Sequence, residues 1–209
     1  MPSAILPVTC RKVPDSAVDV GLVTGMIPAM TPIGVPTAVT RAVSPARRLG
    51  GGLVDLFVLH SGFNSVRDLV EEDGNEVGSD QHTWFVSELA GSTARWKIAM
   101  FHLPPVTLNG EAGRATPEMA WPELSGVDLI LCGHAHLLEL LRWNETLLAN
   151  LSAVSFDDGT VAVLLNGEDA VTDRALWADD ELRGCGRIVA TEERLEIEIW
   201  KTDGTLLHA

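Results

Sequence analysis

Val127–His136 reads VDLILCGHAH and Gln81–Val106 reads QHTWFVSELAGSTARWKIAMFHLPPV; these two stretches decide the fold. Val127–Cys132 is almost wholly apolar, as expected of a strand buried on both faces, and it runs straight into Gly133-His134-Ala135-His136. In the longer stretch, Ser79 just upstream can cap a helix whose start Asp80 favours electrostatically, and Gly91 stands where a C′ glycine belongs. Phe85 and Leu89 lie four apart with Trp84 beside them, which gives that helix one apolar stripe. Trp96–Phe101 (WKIAMF) then reads as a strand that ends in His102-Leu103-Pro104-Pro105.

Working outward, Leu53–Leu59 (LVDLFVL) is a strand run introduced by Gly50-Gly51-Gly52. The acidic residues Glu71, Glu72, Asp73 and Glu76 read as a solvated loop. Further strands are expected at Thr146–Leu151, Val161–Leu165, Arg187–Thr191 and Leu195–Lys201, with a turn at Asn166-Gly167. The last two strands form a hairpin-like pair in which Leu195, Ile197 and Ile199 face inward and Glu196 and Glu198 outward. Strands alternating with helices, then strands alone, point to α/β layers with an antiparallel end.

The chain has 209 residues, 46% hydrophobic and 21% charged, the composition of one globular domain or one with a small extra piece. A net charge of −14 argues against general nucleic-acid binding, which requires an excess of Lys and Arg. Three widely spaced cysteines give neither a disulfide framework nor a Cys-based zinc site. The apolar runs are strand-sized and the N-terminus lacks a clean signal peptide. A soluble, cytoplasmic protein with no membrane partner is the default expectation.

Charge is unevenly spread. Residues 1–50 hold two acids, five bases, seven of the eleven prolines and no aromatic residue, whereas residues 51–209 hold 27 acids and ten bases. This atypical Pro-rich, acid-poor segment allows three readings: a loosely ordered extension, a targeting peptide, or a start read out of frame.

Six histidines are present, and two of them lie in Gly133-His134-Ala135-His136. At this composition a Gly-His-x-His match arises by chance only about 0.015 times in a chain of this length. Two imidazoles at i and i+2 after a rigid strand can face different metal ions, or grip one ion with help from elsewhere. His102 occupies the equivalent place after the preceding strand, and strand ends of this kind are where ligands collect in open α/β sheets. Three imidazoles there suit a borderline metal. Cys132, in its apolar strand, reads as an inert buried thiol.

These two stretches resemble the calcineurin-like metallophosphoesterases, including their purple-acid-phosphatase-like members. The tail RGCGRIVATEERLEIEIWKTDGTLLHA is similar to the strand pair that closes many such domains. The resemblance covers residues 51–209, which it identifies as the C-terminal part of such a domain. It implies a four-layer α/β/β/α sandwich, incomplete at its N-terminal side, and metal-assisted hydrolysis of a phosphoester or nucleotide substrate. It also implies that His102 and His134 ligate one metal and His136 the other, with Fe, Mn or Zn as the ions.

Three family motifs are missing in context: an Asp-x-His after the first strand, a Gly-Asp-x-x-Asp that bridges the metals, and a Gly-Asn-His. The chain contains no Gly-Asp dipeptide and no Tyr, and Asp80-Gln81-His82 falls inside the expected helix. At most one metal per chain is therefore expected. The competing expectation is a non-catalytic metal-binding or interaction domain derived from the same fold. An incomplete domain would also expose a sheet edge through which copies could associate.

Overall fold

The computed structural model describes residues 18–23, 46–61, 76–109, 119–151, 175–179, 184–201 and 203–209. Among them are eleven strands and one α-helix. The strands are β1 (Val18–Val23), β2 (Ala46–Leu49), β3 (Val54–Val58), β4 (Trp96–Met100), β5 (Leu129–Cys132), β6 (Leu138–Trp143), β7 (Thr146–Leu151), β8 (Ala175–Asp179), β9 (Gly184–Ala190), β10 (Leu195–Lys201) and β11 (Leu206–His208). The helix α1 spans Asp80–Gly91 and connects β3 to β4. The expected strand at Val161–Leu165, the turn at Asn166-Gly167 and most of the acidic loop lie outside the described residues. No helix among the described residues is long and apolar enough to cross a membrane.

Seven strands form one mixed sheet in the order β2-β3-β4-β5-β7-β6-β8, and four form a second in the order β1-β9-β10-β11. Its centre, β3-β4-β5-β7, is parallel, and β2, β6 and β8 run antiparallel to their neighbours. The second sheet is antiparallel throughout. Two strands from the first fifty residues thus take part: β1 pairs with β9 and β2 with β3.

Strand alternation sorts the side chains of the large sheet into two cores. Val54, Ile98, Leu129, Leu131, Leu138, Leu140, Ala149 and Leu151 meet Ile188, Ala190, Ile197 and Ile199 of the second sheet. The opposite face sends Phe57, Ala99, Ile130, Leu141 and Leu148 toward Phe85 of α1 and toward Trp121. Phe85 meets Phe57 edge-on at 5.5 Å between ring centroids and lies 5.8 Å from Trp121. The expected inward set of the last strand pair is seen: Ile197 and Ile199 are buried and Leu195 packs against the same core.

Ser79 caps α1, its side chain accepting from the backbone N–H of His82 at 3.1 Å. The C-terminal expectation needs correction. Gly91 is the last helical residue rather than C′, and the cap is Ser92, extended at φ −72° and ψ 127°. No left-handed glycine is needed, because the Ser92 N–H reaches the Leu89 carbonyl at 3.2 Å and its hydroxyl donates to Asp55 at 2.8 Å. Asp55 also accepts both nitrogens of an Arg48 fork at 3.0 Å. The Arg48 guanidinium holds the Asp55 carboxyl below its ordinary range.

Candidate metal centre

The parallel ladder brings the histidines together. Val58 is in register with Met100, and Met100 with Leu131, so β3, β4 and β5 end side by side. Pairing then continues beyond the strands: Leu59 N–H donates to Met100 O at 2.8 Å, Phe101 N–H to Leu131 O at 3.0 Å and Gly133 N–H to His102 O at 3.0 Å. His102 and the Gly133–His136 turn are therefore fixed by backbone hydrogen bonds.

His102 Nε2 and His134 Nδ1 lie 3.2 Å apart, with ring centroids at 5.0 Å and planes at 69°. The His136 ring lies 6.3 Å from that of His134. All three side chains are partly buried. Burial, with the neighbouring His136, pushes the His102 imidazole below its ordinary pKa, which favours the neutral ring that a metal requires. His134 and His136 both adopt left-handed backbone, at φ 65° and 56°. Side chains other than glycine visit that region infrequently.

Two nitrogens bound to one ion at about 2.0–2.1 Å, at angles between octahedral and tetrahedral, stand about 2.8–3.4 Å apart. The 3.2 Å separation of His102 Nε2 and His134 Nδ1 fits that spacing. Among the described residues, no group of three or more His, Cys, Asp or Glu side chains is arranged to hold a metal ion. Among the described residues the geometry thus supplies a pair of imidazoles with a third nearby, short of a complete ligand set.

Asp80-Gln81-His82 is not part of this corner. It forms the first turn of α1, and the buried His82 is engaged on both ring nitrogens. Gly78 N–H donates to Nδ1 at 3.1 Å, so Nε2 carries the proton and points at Glu123 Oε2, 3.0 Å away. The ring sits edge-on to Trp121 at 5.1 Å. Cys132 is buried beside the corner, and burial raises its thiol pKa well above the ordinary value.

Three supporting features escaped the sequence reading. Gln81 grips the end of β3 like an added strand: its Oε1 accepts from His60 N–H at 2.6 Å and its Nε2 donates to His60 O at 2.8 Å. Asn109 donates from Nδ2 to Ala135 O, between the two histidines, at 2.8 Å. Glu139, fully buried, accepts from Leu108 N–H at 2.8 Å and from Asn150 Nδ2 at 3.2 Å. A histidine directly after the Leu53–Leu59 run was the one local signal for the first; the other two join residues 26 and 31 apart in the chain.

A family model described as calcineurin-like phosphoesterase matches residues 35–138, a span that contains all three histidines. Among solved structures, the chain is similar to "GAP50 the anchor in the inner membrane complex of Plasmodium", with a TM-score of 0.54 and 12% identity over 74% of this chain and 47% of that one. A weaker likeness, with a TM-score of 0.43 and 16% identity over 76% of this chain and 42% of that one, is to a structure of PhoD. The chain thus spans less than half the length of either structure. No curated protein matches it in sequence.

Proposed function

We propose, from the premise that this chain belongs to the calcineurin-like phosphoesterase family, that His102, His134 and His136 are the imidazole part of a metal centre for phosphoester hydrolysis. One observation carries the reading: the 3.2 Å separation of two imidazole nitrogens at adjoining ends of parallel strands. In this reading His102 and His134 hold one ion through Nε2 and Nδ1, and His136 serves a second. Fe, Mn or Zn, once bound, supplies Lewis-acid stabilisation of a phosphoryl oxygen and lowers the pKa of water.

The chain's own contribution is positional and electrostatic. The backbone ladder holds the ends of the strands that carry the imidazoles, and burial lowers the His102 pKa, which favours the neutral ring whose lone pair a metal needs. A two-metal site also needs carboxylates to bridge the ions, and the Gly-Asp-x-x-Asp motif that would bring one is absent from the sequence. The 209-residue chain is accordingly expected to bind at most one ion and to hydrolyse phosphoesters slowly or not at all unless the missing ligands are supplied. The four-layer α/β/β/α sandwich belongs to the same reading. Support comes from β9, where every residue from Gly184 to Ala190 is buried, including those facing away from the large sheet.

The test is metal stoichiometry together with turnover of an aryl phosphate in the presence of Mn²⁺, Zn²⁺ or Fe. Binding near one ion per chain that His134→Ala abolishes is the expected result. No binding of any of these ions by the folded chain would refute the proposal. Robust turnover lost in His134→Ala would instead show that the chain supplies its own bridging ligand.

A further inference from the structure

The Gly133–His136 turn and the segment after His102 are tied together at two points, neither of which includes a histidine side chain. Asn109 Nδ2 donates to Ala135 O at 2.8 Å, and Asn109 is itself set by its N–H donating to Thr107 Oγ1 at 3.1 Å. Glu139, three residues beyond His136, accepts the Leu108 N–H at 2.8 Å. Asn150 on the adjacent β7 donates to the other carboxylate oxygen at 3.2 Å. Asn109, Glu139 and Asn150 are all at least 96% buried, with exposures of 4%, 0% and 0%.

We propose that Asn109 and Glu139 are positioning residues that clamp the 102–109 segment onto the 133–136 turn and so set the spacing of the three imidazoles. The inference rests on the metal-centre reading above for its consequence, but its geometry stands without an ion. Ala135 lies between two residues in left-handed backbone, so its carbonyl direction is coupled to where both imidazoles point. With the Asn109 amide in place, one orientation of the turn has its carbonyl satisfied. Without it, a buried acceptor is orphaned and the turn is free to rotate toward another partner. Glu139 acts from the other side by fixing Leu108, one residue before Asn109. Partners of this kind, which orient ligands without touching the ion, typically account for about 10- to 100-fold in metal affinity.

Two readouts on the full 209-residue chain separate this proposal from the reading on which it rests. In metal-free, ¹⁵N-labelled protein, the contact between the His102 and His134 rings is followed by imidazole NMR. In the second, Co²⁺ is titrated and followed by visible absorption. Asn109→Leu, which keeps the bulk and removes the donor, and Glu139→Ala should each abolish the ring contact and weaken Co²⁺ binding about 10- to 100-fold. Glu139→Gln retains an oxygen for the Leu108 N–H and lets the Asn150 amide turn to accept, so it should restore both. Ile130→Val, a core truncation in β5, controls for general loss of stability. Should Glu139→Ala not fold, the Asn109 arm decides, with Asn109→Ser as its second variant. Retention of the ring contact in the Asn109 variants overturns the proposal. Absence of Co²⁺ binding by the wild type, with the ring contact still lost in Asn109→Leu, overturns the metal reading and leaves the clamp standing.

Discussion

Gly186→Ala probes the surface where the two sheets meet. A Cβ built on Gly186 of β9 runs into Cδ1 of Leu151 on β7 and meets Leu151 Cδ2 and Cγ at 3.0 Å each. Leu151 is fully buried in the inter-sheet core, so it cannot swing into solvent to make room. Overpacking of this kind costs about 1–3 kcal/mol. Against it stands a gain of about 0.4–1 kcal/mol from the smaller conformational entropy of an unfolded chain with alanine in place of glycine. The φ of Gly186 lies outside the left-handed range, so no backbone penalty is added. The net loss should be about 0–2.6 kcal/mol. Leu151→Ala alone should cost about 2–5 kcal/mol, because it leaves a cavity between the sheets. In that background the new methyl has space, and Gly186→Ala should become neutral or stabilising, a coupling of about 1–3 kcal/mol. Urea unfolding of the four proteins, compared at constant m, reads the cycle. Strict additivity of the two substitutions would show that β9 and β7 are not in contact here and would refute the face-to-face packing.

Other expectations follow from single contacts. Glu139 has its pKa raised, chiefly by burial, so the folded state holds the proton more tightly than the unfolded one. Its contribution to stability is then present below the ordinary value of 4.5 and is lost as pH rises through the folded pKa. Thermal midpoints of wild type minus those of Glu139→Gln should therefore fall with rising pH, and a difference that rises would reverse the assignment. Asp55 behaves in the opposite sense: its pKa is lowered by Arg48, so the stability it adds is lost on acidification and Asp55→Asn should flatten the acid limb. Thr146→Val, which removes a buried hydroxyl donating to Leu124 O and Val127 O, should cost about 1–3 kcal/mol in chemical denaturation. Ser79→Ala should cost about 1 kcal/mol and raise amide exchange in the first turn of α1 rather than in β4.

What could be read from the sequence was what repeats locally. β3, α1, β4, β5, β7 and β10 were visible because a period or a cap lies within a few residues; β7 and β10 match at both ends. β6 was not, because Leu138–Trp143 has apolar residues toward both cores and a buried Glu139 between them, which erases the two-residue alternation of a half-buried strand. β2 and β8 are short edge strands whose identity comes from their neighbours. The three imidazoles were legible as candidates because each stands within four residues of a strand's end. The residues around them were not, because Asn109 and Glu139 act through backbone groups on distant segments.

Left-handed conformations at His134 and His136 each cost on the order of 1–3 kcal/mol for a side chain with a Cβ, less where histidine tolerates the region well. A corner that served only to fill space could relieve that cost with glycine at either position. Here the strain is retained, it is braced by a buried amide on the residue in between, and it aims His134 Nδ1 at His102 Nε2. Strain held in place in this way favours a ligand-holding site over a merely hydrogen-bonded pair of rings. Replacing His136 by glycine should then raise thermal stability. A loss of stability on that substitution would mean that the turn is not strained and would remove this support for the metal reading.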